Sequence, residues 1–214
     1  DAASKPVSRK DLEAYREFAF RQLEAADNGH GIAAGKGLYP YLWGWDTFFI
    51  AKWVAKSRPD LSLKNTKALF KGQWENGLLP QIVFFEWRKG DYFPQPDYWG
   101  TAHRKIPTSS IIQPPVAALA VWELFRHHGN NSAYRDEIKL LLPQLEKWHD
   151  FLASERDPLG LNLLSIFHPW ASGMDNAPQW ELPLRNVDGK LASPFQRVDL
   201  SHVKDGNRQI LRFC

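Results

Sequence analysis

The feature that most restricts the fold is an alternation between two kinds of apolar pattern along the predicted helices. Residues 9–26, 61–74 and 132–156 form amphipathic segments, each with one apolar stripe and one charged face. Residues 47–54 and 116–125 lie between them and are apolar nearly all round, which predicts burial on most sides. A simple bundle would repeat one amphipathic type, because each of its helices has a wet side. The alternation therefore predicts an all-α fold, an α/α toroid with wet outer helices around buried inner ones, of which the segments make about half of the ring.

Local signals mark several helix ends. Ser8 and Asp11 form a predicted capping box at the start of the first helix. Pro114 and Pro115 are predicted to open the fourth helix, because proline is tolerated in a first helical turn. Pro143 is predicted to make the fifth helix restart, because an internal proline removes a backbone donor.

Residues 76–112 show no sustained period and are rich in glycine, proline and aromatic side chains. A loop of this length in a compact domain is usually functional. Its aromatic content predicts that it packs down on the domain, as a lid or as one wall of a cleft.

Three unusual motifs each stand directly before an inner helix or before the place where the next one is expected. They are residues 43–46 (Trp-Gly-Trp-Asp), 113–115 (Gln-Pro-Pro) and 170–175 (Trp-Ala-Ser-Gly-Met-Asp). In a ring of helical hairpins these positions gather at one mouth. The chain has 10 tryptophans and 1 methionine, although a buried indole must find a partner for its N–H. Because indole faces are good platforms for sugar rings, this bias favours a carbohydrate site at the mouth.

Asp175 is the strongest candidate for acid chemistry there. It stands between Trp170 and Trp180 on a turn shaped by Gly173 and Pro178, and desolvation by indoles favours a protonated carboxyl. Glycoside cleavage uses such a group to protonate the leaving oxygen, with a second carboxylate about 6.5–9.5 Å away in the inverting geometry. The alternative is that Asp175 or Asn176 caps a short helix with Pro178 in its first turn. The residues alone leave both interpretations open.

Asp46 and Gln113 are the next candidates, each with a structural alternative. Asp46 either caps the second helix or accepts a hydrogen bond from a sugar hydroxyl, flanked by Trp43 and Trp45. Gln113 either marks only the start of a helix or directs its amide into the mouth.

Several functional classes are excluded or disfavoured by composition and motifs. The net charge of +3 is too small and too scattered to favour binding to nucleic acid. The sequence contains no run of about 18 apolar residues, so it predicts no membrane span. The single cysteine cannot form an internal disulfide and fits a reducing compartment. There is no zinc spacing, phosphate loop, dinucleotide fingerprint or nucleophile elbow, so no metal or cofactor is expected. A non-catalytic sugar-binding module and a helical interaction scaffold stay open, whereas an isoprenoid cyclase would need the absent Asp-Asp-x-x-Asp signature.

Four blocks, in this order, resemble glycoside hydrolase family 63, and within it the mannosylglycerate and glucosylglycerate hydrolases. They are residues 39–46 (Tyr-Pro-Tyr-Leu-Trp-Gly-Trp-Asp), 76–84 (Asn-Gly-Leu-Leu-Pro-Gln-Ile-Val-Phe), 112–115 (Ile-Gln-Pro-Pro) and 168–180 (His-Pro-Trp-Ala-Ser-Gly-Met-Asp-Asn-Ala-Pro-Gln-Trp). The resemblance implies an (α/α)6 barrel and inverting hydrolysis of an α-glycosidic bond in a small-molecule glycoside. Trehalases share a similar Ser-Gly-Trp-Asp block, so a trehalose-like or other α-glucoside is the alternative substrate. The glycerate glycosides are intracellular solutes in this family, which favours a cytoplasmic location, and the oligomeric state stays open.

The resemblance also implies roles for individual residues. Asp175 matches the general acid of the family. The positions that match the lining of its sugar subsite are Tyr39, Trp43, Trp45, Asp46, Gln113, Trp170 and Gly173.

Two departures from the family pattern affect what the chain can do. Ala171 stands where the family usually has glutamate, which removes a hydrogen bond that could position the acid. The family's general base comes from the C-terminal half of the ring, but here a weak echo at residues 199–203 is followed by residues 204–214, which no longer follow the pattern. We therefore expect residues 1–214 to form a partial (α/α)6 catalytic domain without normal hydrolytic activity of its own. The alternative is an inactive sugar-binding or truncated fragment of such an enzyme.

Overall fold

The computed structural model describes residues 7–35, 37–175 and 177–182, and most of its secondary structure is helical. The five α-helices are α1 (Arg9–Ala25), α2 (Gly44–Val54), α3 (Pro59–Phe70), α4 (Ala117–His128) and α5 (Ser132–Glu155). Two short strands, β1 (Leu42–Trp43) and β2 (Ile82–Val83), and two 3-10 helices, Pro169–Ser172 and Pro178–Trp180, complete the elements. The all-α class is confirmed, while the predictions on residues 199–203 and 204–214 lie outside the described residues.

The core is formed where the helices stack on one another. Helix α2 packs against α3 and α4, and α4 packs against α3 and α5. Leu69 of α3, Leu124 of α4 and Trp148 of α5 are all buried in one cluster with residues of α2. Such apolar burial is the dominant stabilising contribution in a domain of this kind, and it fixes the relative positions of the N-terminal ends of α2 and α4.

The prediction that α2 and α4 are buried on most sides is wrong for one face of each. Phe49 and Trp53 of α2 are 46% and 51% exposed, and Leu119 and Trp122 of α4 are 48% and 55% exposed. An apolar face predicts that something covers it, but the pattern does not state what. Within the described part of the chain, these faces are left largely uncovered, although Phe20 of α1 contacts Trp53.

Helix α1 departs from its prediction in the same way. Its apolar stripe was expected to face the domain, yet Leu12 and Tyr15 are 58% and 68% exposed, and the helix has no buried residue. Its C-terminal part contacts neighbours through Phe20, whose ring centroid lies 5.1 Å from that of Trp53, and through Glu24, which pairs with Arg58 at 3.1 Å.

The predicted helix ends are confirmed in one case and wrong in two. The capping box is present, with the Asp11 N–H donating to Ser8 Oγ at 3.2 Å and the Ser8 N–H donating to Asp11 Oδ2 at 3.1 Å. Helix α4 begins after its N-cap Val116, so both prolines of residues 113–115 precede it. Helix α5 runs unbroken through Pro143, because buried side chains on both sides of the proline anchor it in the core.

The short antiparallel pair of β1 and β2 was missed by the sequence analysis. Leu42 pairs with Val83 and Trp43 pairs with Ile82, and all four residues are buried. Two-residue strands are too short to show a period of two in the sequence. The pairing ties residues 76–112 to the start of α2, so this segment packs down on the domain as expected.

Candidate active site

A cavity opens where the β1–β2 pair meets the aromatic loop and the segment that carries Asp175. It encloses about 630 Å³, counting the space open to solvent at its mouth. Four predicted site residues, Tyr39, Trp43, Trp170 and Asp175, line it together. The remaining lining residues are Leu38, Gln81, Ile82, Tyr92, Phe93 and Pro94.

One wall of the cavity is a set of aromatic rings packed edge to face around Trp43. The ring centroids of Tyr39 and Tyr92 lie 5.1 and 5.4 Å from that of Trp43, with interplanar angles of 84° and 80°. These two rings come from different segments of the chain, and Trp43 itself is 5% exposed. Edge-to-face packing of this kind is favourable beyond the area it buries, so the wall is fixed by contacts on both sides.

Another part of the cavity lining comes from the turn that leads to Asp175. His168 caps the first 3-10 helix, since the Trp170 N–H donates to its Nδ1 at 3.1 Å. The Ser172 hydroxyl donates to the Pro169 carbonyl at 2.6 Å and accepts from the Met174 N–H at 2.8 Å. These local bonds hold the backbone on either side of the turn and place the partly buried Asp175 at the cavity.

The helix-cap interpretation of Asp175 is wrong. The second 3-10 helix has Ala177 as its N-cap residue and no side-chain cap bond. Pro178 does occupy its first turn, as predicted. Asp175 therefore lies on the turn between the two 3-10 helices rather than capping one of them, while Asn176, the other candidate for the cap, lies outside the described residues.

Trp45 and Gly173 are in direct contact with each other, and neither is among the residues that line the cavity. A Cβ atom added to Gly173 would lie 2.4 Å from Cη2 of Trp45, closer than any real contact of this kind. Gly173 also has a φ of +69°, a conformation that side chains other than glycine rarely adopt. The indole of Trp45 thus lies against the backbone of the turn that carries Asp175 and supports it.

Asp46 and Gln113 lie at the N-terminal end of α2 and are not among the cavity-lining residues. The N-cap of α2 is Trp43, so the prediction that Asp46 caps the helix is wrong, and the residue instead lies in the first turn. Burial raises the pKa of Asp46, opposed by hydrogen bonds from its own backbone and from the Trp45 side chain. Gln113 is 8% exposed, and its Oε1 accepts from the Trp45 N–H at 2.9 Å.

Gln81 is the polar cavity-lining residue that the sequence analysis did not single out. It is 5% exposed. Its Nε2 lies 3.5 Å from the Trp170 carbonyl oxygen, and this contact links the residue before β2 to the segment that carries Asp175. Its Oε1 has no hydrogen-bond partner within the described structure. No spacing rule marks this residue, because its position depends on the β1–β2 pairing.

Metal-ligating clusters and membrane-spanning helices are both absent from the residues that the structure describes. Nowhere in residues 7–35, 37–175 and 177–182 do three or more His, Cys, Asp or Glu side chains gather to hold an ion. In the same ranges, no helix has the length and apolar character needed to cross a membrane.

A family model described as the mannosylglycerate hydrolase MGH1-like glycoside hydrolase domain matches residues 39–211. The chain belongs to this family. The match extends over the cavity, the turn of Asp175 and the N-terminal ends of α2 and α4, and it confirms the resemblance stated from the four sequence blocks.

Three relatives show what share of a family member's length the chain covers. The mannosylglycerate hydrolase of Thermus thermophilus is 39% identical over 192 residues, which are 89% of this chain and 46% of the relative. The mannosylglycerate hydrolase of Rubrobacter radiotolerans is 42% identical over 164 residues, 74% of this chain and 37% of the relative. The glucosylglycerate hydrolase of Mycolicibacterium hassiacum is 35% identical over 199 residues, 87% of this chain and 44% of the relative. The chain thus spans less than half the length of these relatives.

A solved structure supports the same assignment at the level of the fold. A family 63 mannosylglycerate hydrolase from Thermus thermophilus, in complex with Tris and D-glycerate, matches with a TM-score of 0.81 at 36% identity. The match covers 92% of this chain and 48% of that chain. Together with the helix order, this neighbour confirms the partial α/α toroid expected from the alternation of helices.

Proposed function

We propose that this chain carries the general-acid side of a glycoside hydrolase site. Asp175 protonates the leaving oxygen of a small α-glycoside, such as mannosylglycerate or glucosylglycerate. The observation that carries the proposal is the position of Asp175 on a braced turn, at a cavity whose other walls include Trp43 and Trp170.

The chemistry requires a second carboxylate on the other side of the sugar. In the inverting mechanism that group activates water, about 6.5–9.5 Å from the acid. Asp175 is the only carboxylate among the described residues that line the cavity. We therefore assign the base to the C-terminal half of the family barrel, and we expect the 214 residues on their own to bind a glycoside without normal turnover.

The aromatic lining and the solved relatives support the proposed substrate class. Sugar rings present apolar faces that stack on indoles, and two tryptophans face this cavity. Structures of the related hydrolase from Thermus thermophilus have been solved with D-glycerate and with glucose. A relative that shares this part of the fold thus binds glycerate and a hexose, which are the two halves of a glycerate glycoside.

Binding is tested by titrating the chain with mannosylglycerate and with glucosylglycerate while recording tryptophan fluorescence. We expect a saturable change with at least one glycoside, and a loss of affinity of at least about tenfold in Trp170→Ala, because aromatic anchors dominate such sites. The matched control is Trp122→Ala, which removes an exposed indole of α4 that does not line the cavity.

Two results would contradict the proposed site. One is the absence of saturable binding by either glycoside. The other is an equal loss of affinity in the Trp170 and Trp122 variants, which would place the ligand elsewhere.

A further inference from the structure

We propose that Gln113 is a positioning residue that caps α2 from outside the helix and thereby holds the acid-bearing turn. The first N–H groups of any helix lack partners within it, and the N-cap of α2, Trp43, makes no side-chain cap bond. The Gly44 N–H donates to the Gln81 carbonyl at 2.7 Å, and the Trp45 N–H donates to Gln113 Oε1 at 2.9 Å. Other parts of the chain thus provide the cap that α2 does not provide for itself.

The close approach of Gln113 depends on the glycine that begins α2. A Cβ atom added to Gly44 would lie 3.1 Å from Gln113 Oε1 and 3.2 Å from the Pro80 carbonyl oxygen. Gln113 is buried, so water does not compete for this bond. The carbonyl oxygen of the amide must face the Trp45 N–H, since only an acceptor can pair with a donor.

The bond also joins two inner helices. Gln113 lies four residues before the start of α4 at Ala117, whereas Trp45 lies in the first turn of α2. The N-terminal ends of these helices are therefore tied through one side chain, close to the site rather than at the far end of the core.

Trp45 carries the effect of this cap to the acid. Its N–H is held by Gln113, and its indole lies against the backbone of Gly173, two residues before Asp175. If the acceptor on Gln113 is removed, the start of α2 is released and the indole loses its fixed position against the turn. Gln113 thus acts on the acid through Trp45, without touching it. The expected effect of Gln113 on catalysis rests on the proposed role of Asp175. The hydrogen bond by which Gln113 caps α2 does not depend on that role.

The test compares Gln113→Met with Gln113→Glu. Methionine has a similar length and no oxygen acceptor, while glutamate keeps an oxygen at the same position and suits a helix N-terminus. If Gln113 instead served by donating its amide N–H to a sugar, that donation would be lost in both variants. Protection of the Trp45 amide that is retained in Gln113→Glu and lost in Gln113→Met therefore separates capping from donation.

Two nuclear magnetic resonance readouts on the 214-residue chain need no turnover. In the wild type and Gln113→Glu we expect a slowly exchanging Trp45 amide proton and a ring-current shift at Gly173. In Gln113→Met we expect exchange that is roughly tenfold faster, from the loss of one hydrogen bond, and a reduced ring-current shift. Gln73→Met is the matched control, because Gln73 donates to the carbonyls of Gly77 and Gln144 away from α2.

The proposal is overturned if the Trp45 amide exchanges equally fast in Gln113→Met and in the wild type. It is also overturned if Gln113→Glu behaves like Gln113→Met, or if Gln73→Met has the same effect. General loss of folding is recognised by faster exchange throughout α5, which the proposed cap does not protect. Since these readouts do not depend on hydrolysis, a failure of the proposed function leaves the test of the cap intact.

Discussion

Gly173 combines two requirements that only glycine meets at the candidate site. Its φ of +69° disfavours any side chain, and a Cβ atom would overlap the Trp45 indole at 2.4 Å. These two costs can be separated, because Gly160 has a similar φ of +64° and no atom within 4 Å of its added Cβ.

We expect Gly173→Ala to destabilise the fold more than Gly160→Ala does. Backbone strain alone costs about 1 kcal/mol at either position, and the clash with Trp45 adds roughly 1–3 kcal/mol at Gly173. Urea denaturation of both variants measures the difference. Equal losses would show that the indole does not press on the turn.

The residues of the site were predictable to the extent that their chemistry is local. Asp175 stands out in the sequence because aromatic residues, glycine and proline surround it, and the cavity brings it together with Tyr39, Trp43 and Trp170. Gln81 does not stand out, because its place in the cavity results from a strand pairing across distant segments. The sequence also could not distinguish between Asp46 as a helix cap and Asp46 as an acceptor from a sugar hydroxyl, and the structure excludes only the cap.

At the scale of elements, the first 3-10 helix is the part of the site whose stability should depend on pH. Burial lowers the pKa of His168, and its Nδ1 must be unprotonated to accept from the Trp170 N–H. The unfolded chain therefore binds a proton more readily than the folded one. Above the pKa of about 6.5 that the imidazole has in the unfolded chain, His168 leaves the free energy of unfolding unaffected. The free energy of unfolding falls as the pH drops through that value.

We expect His168→Asn to remove this component of the pH dependence while keeping the cap. Asparagine is a good N-cap acceptor and does not titrate. Denaturation at about pH 7.5 and 5.5 should show a smaller loss of stability on acidification in the variant than in the wild type. An identical loss in both proteins would mean that His168 is not buried in its neutral form.

The elements themselves differ in how far the sequence defines them. The capping box of Ser8 and Asp11 is a local signal and is present. The strands β1 and β2 have no local signal, and Pro143 was expected to interrupt a helix that the core keeps continuous. Local rules fail at such places because packing between distant segments outweighs the intrinsic preference of one residue.

At the scale of the whole molecule, the exposed apolar faces of α2 and α4 set this chain apart from a domain covered on all sides. Phe49, Trp53, Leu119, Trp122 and Phe125 are each at least 43% exposed. Exposed apolar patches mark surfaces that associate with something. Periodicity predicted that these faces would be covered, and it could not predict that the described residues would leave them open.

We expect the 214-residue chain to self-associate through these faces. Sedimentation velocity should show a concentration-dependent increase in mass, which the double variant Trp53→Ser/Trp122→Ser reduces. Polar substitutions at two exposed positions remove apolar surface without touching the core. A wild type that stays monomeric at high concentration would contradict this expectation.

The most direct test of the central claim concerns the proton that Asp175 is proposed to donate. Residues 39–182 would replace the matching segment of the Thermus thermophilus mannosylglycerate hydrolase, so that a complete barrel is present. Two substrates are then compared, mannosylglycerate and α-mannosyl fluoride, because fluoride leaves without protonation. In Asp175→Asn we expect kcat for mannosylglycerate to fall by at least about 100-fold, while kcat for the fluoride changes much less. Unchanged turnover of mannosylglycerate, or equal losses on both substrates, would contradict the assignment of Asp175 as the general acid.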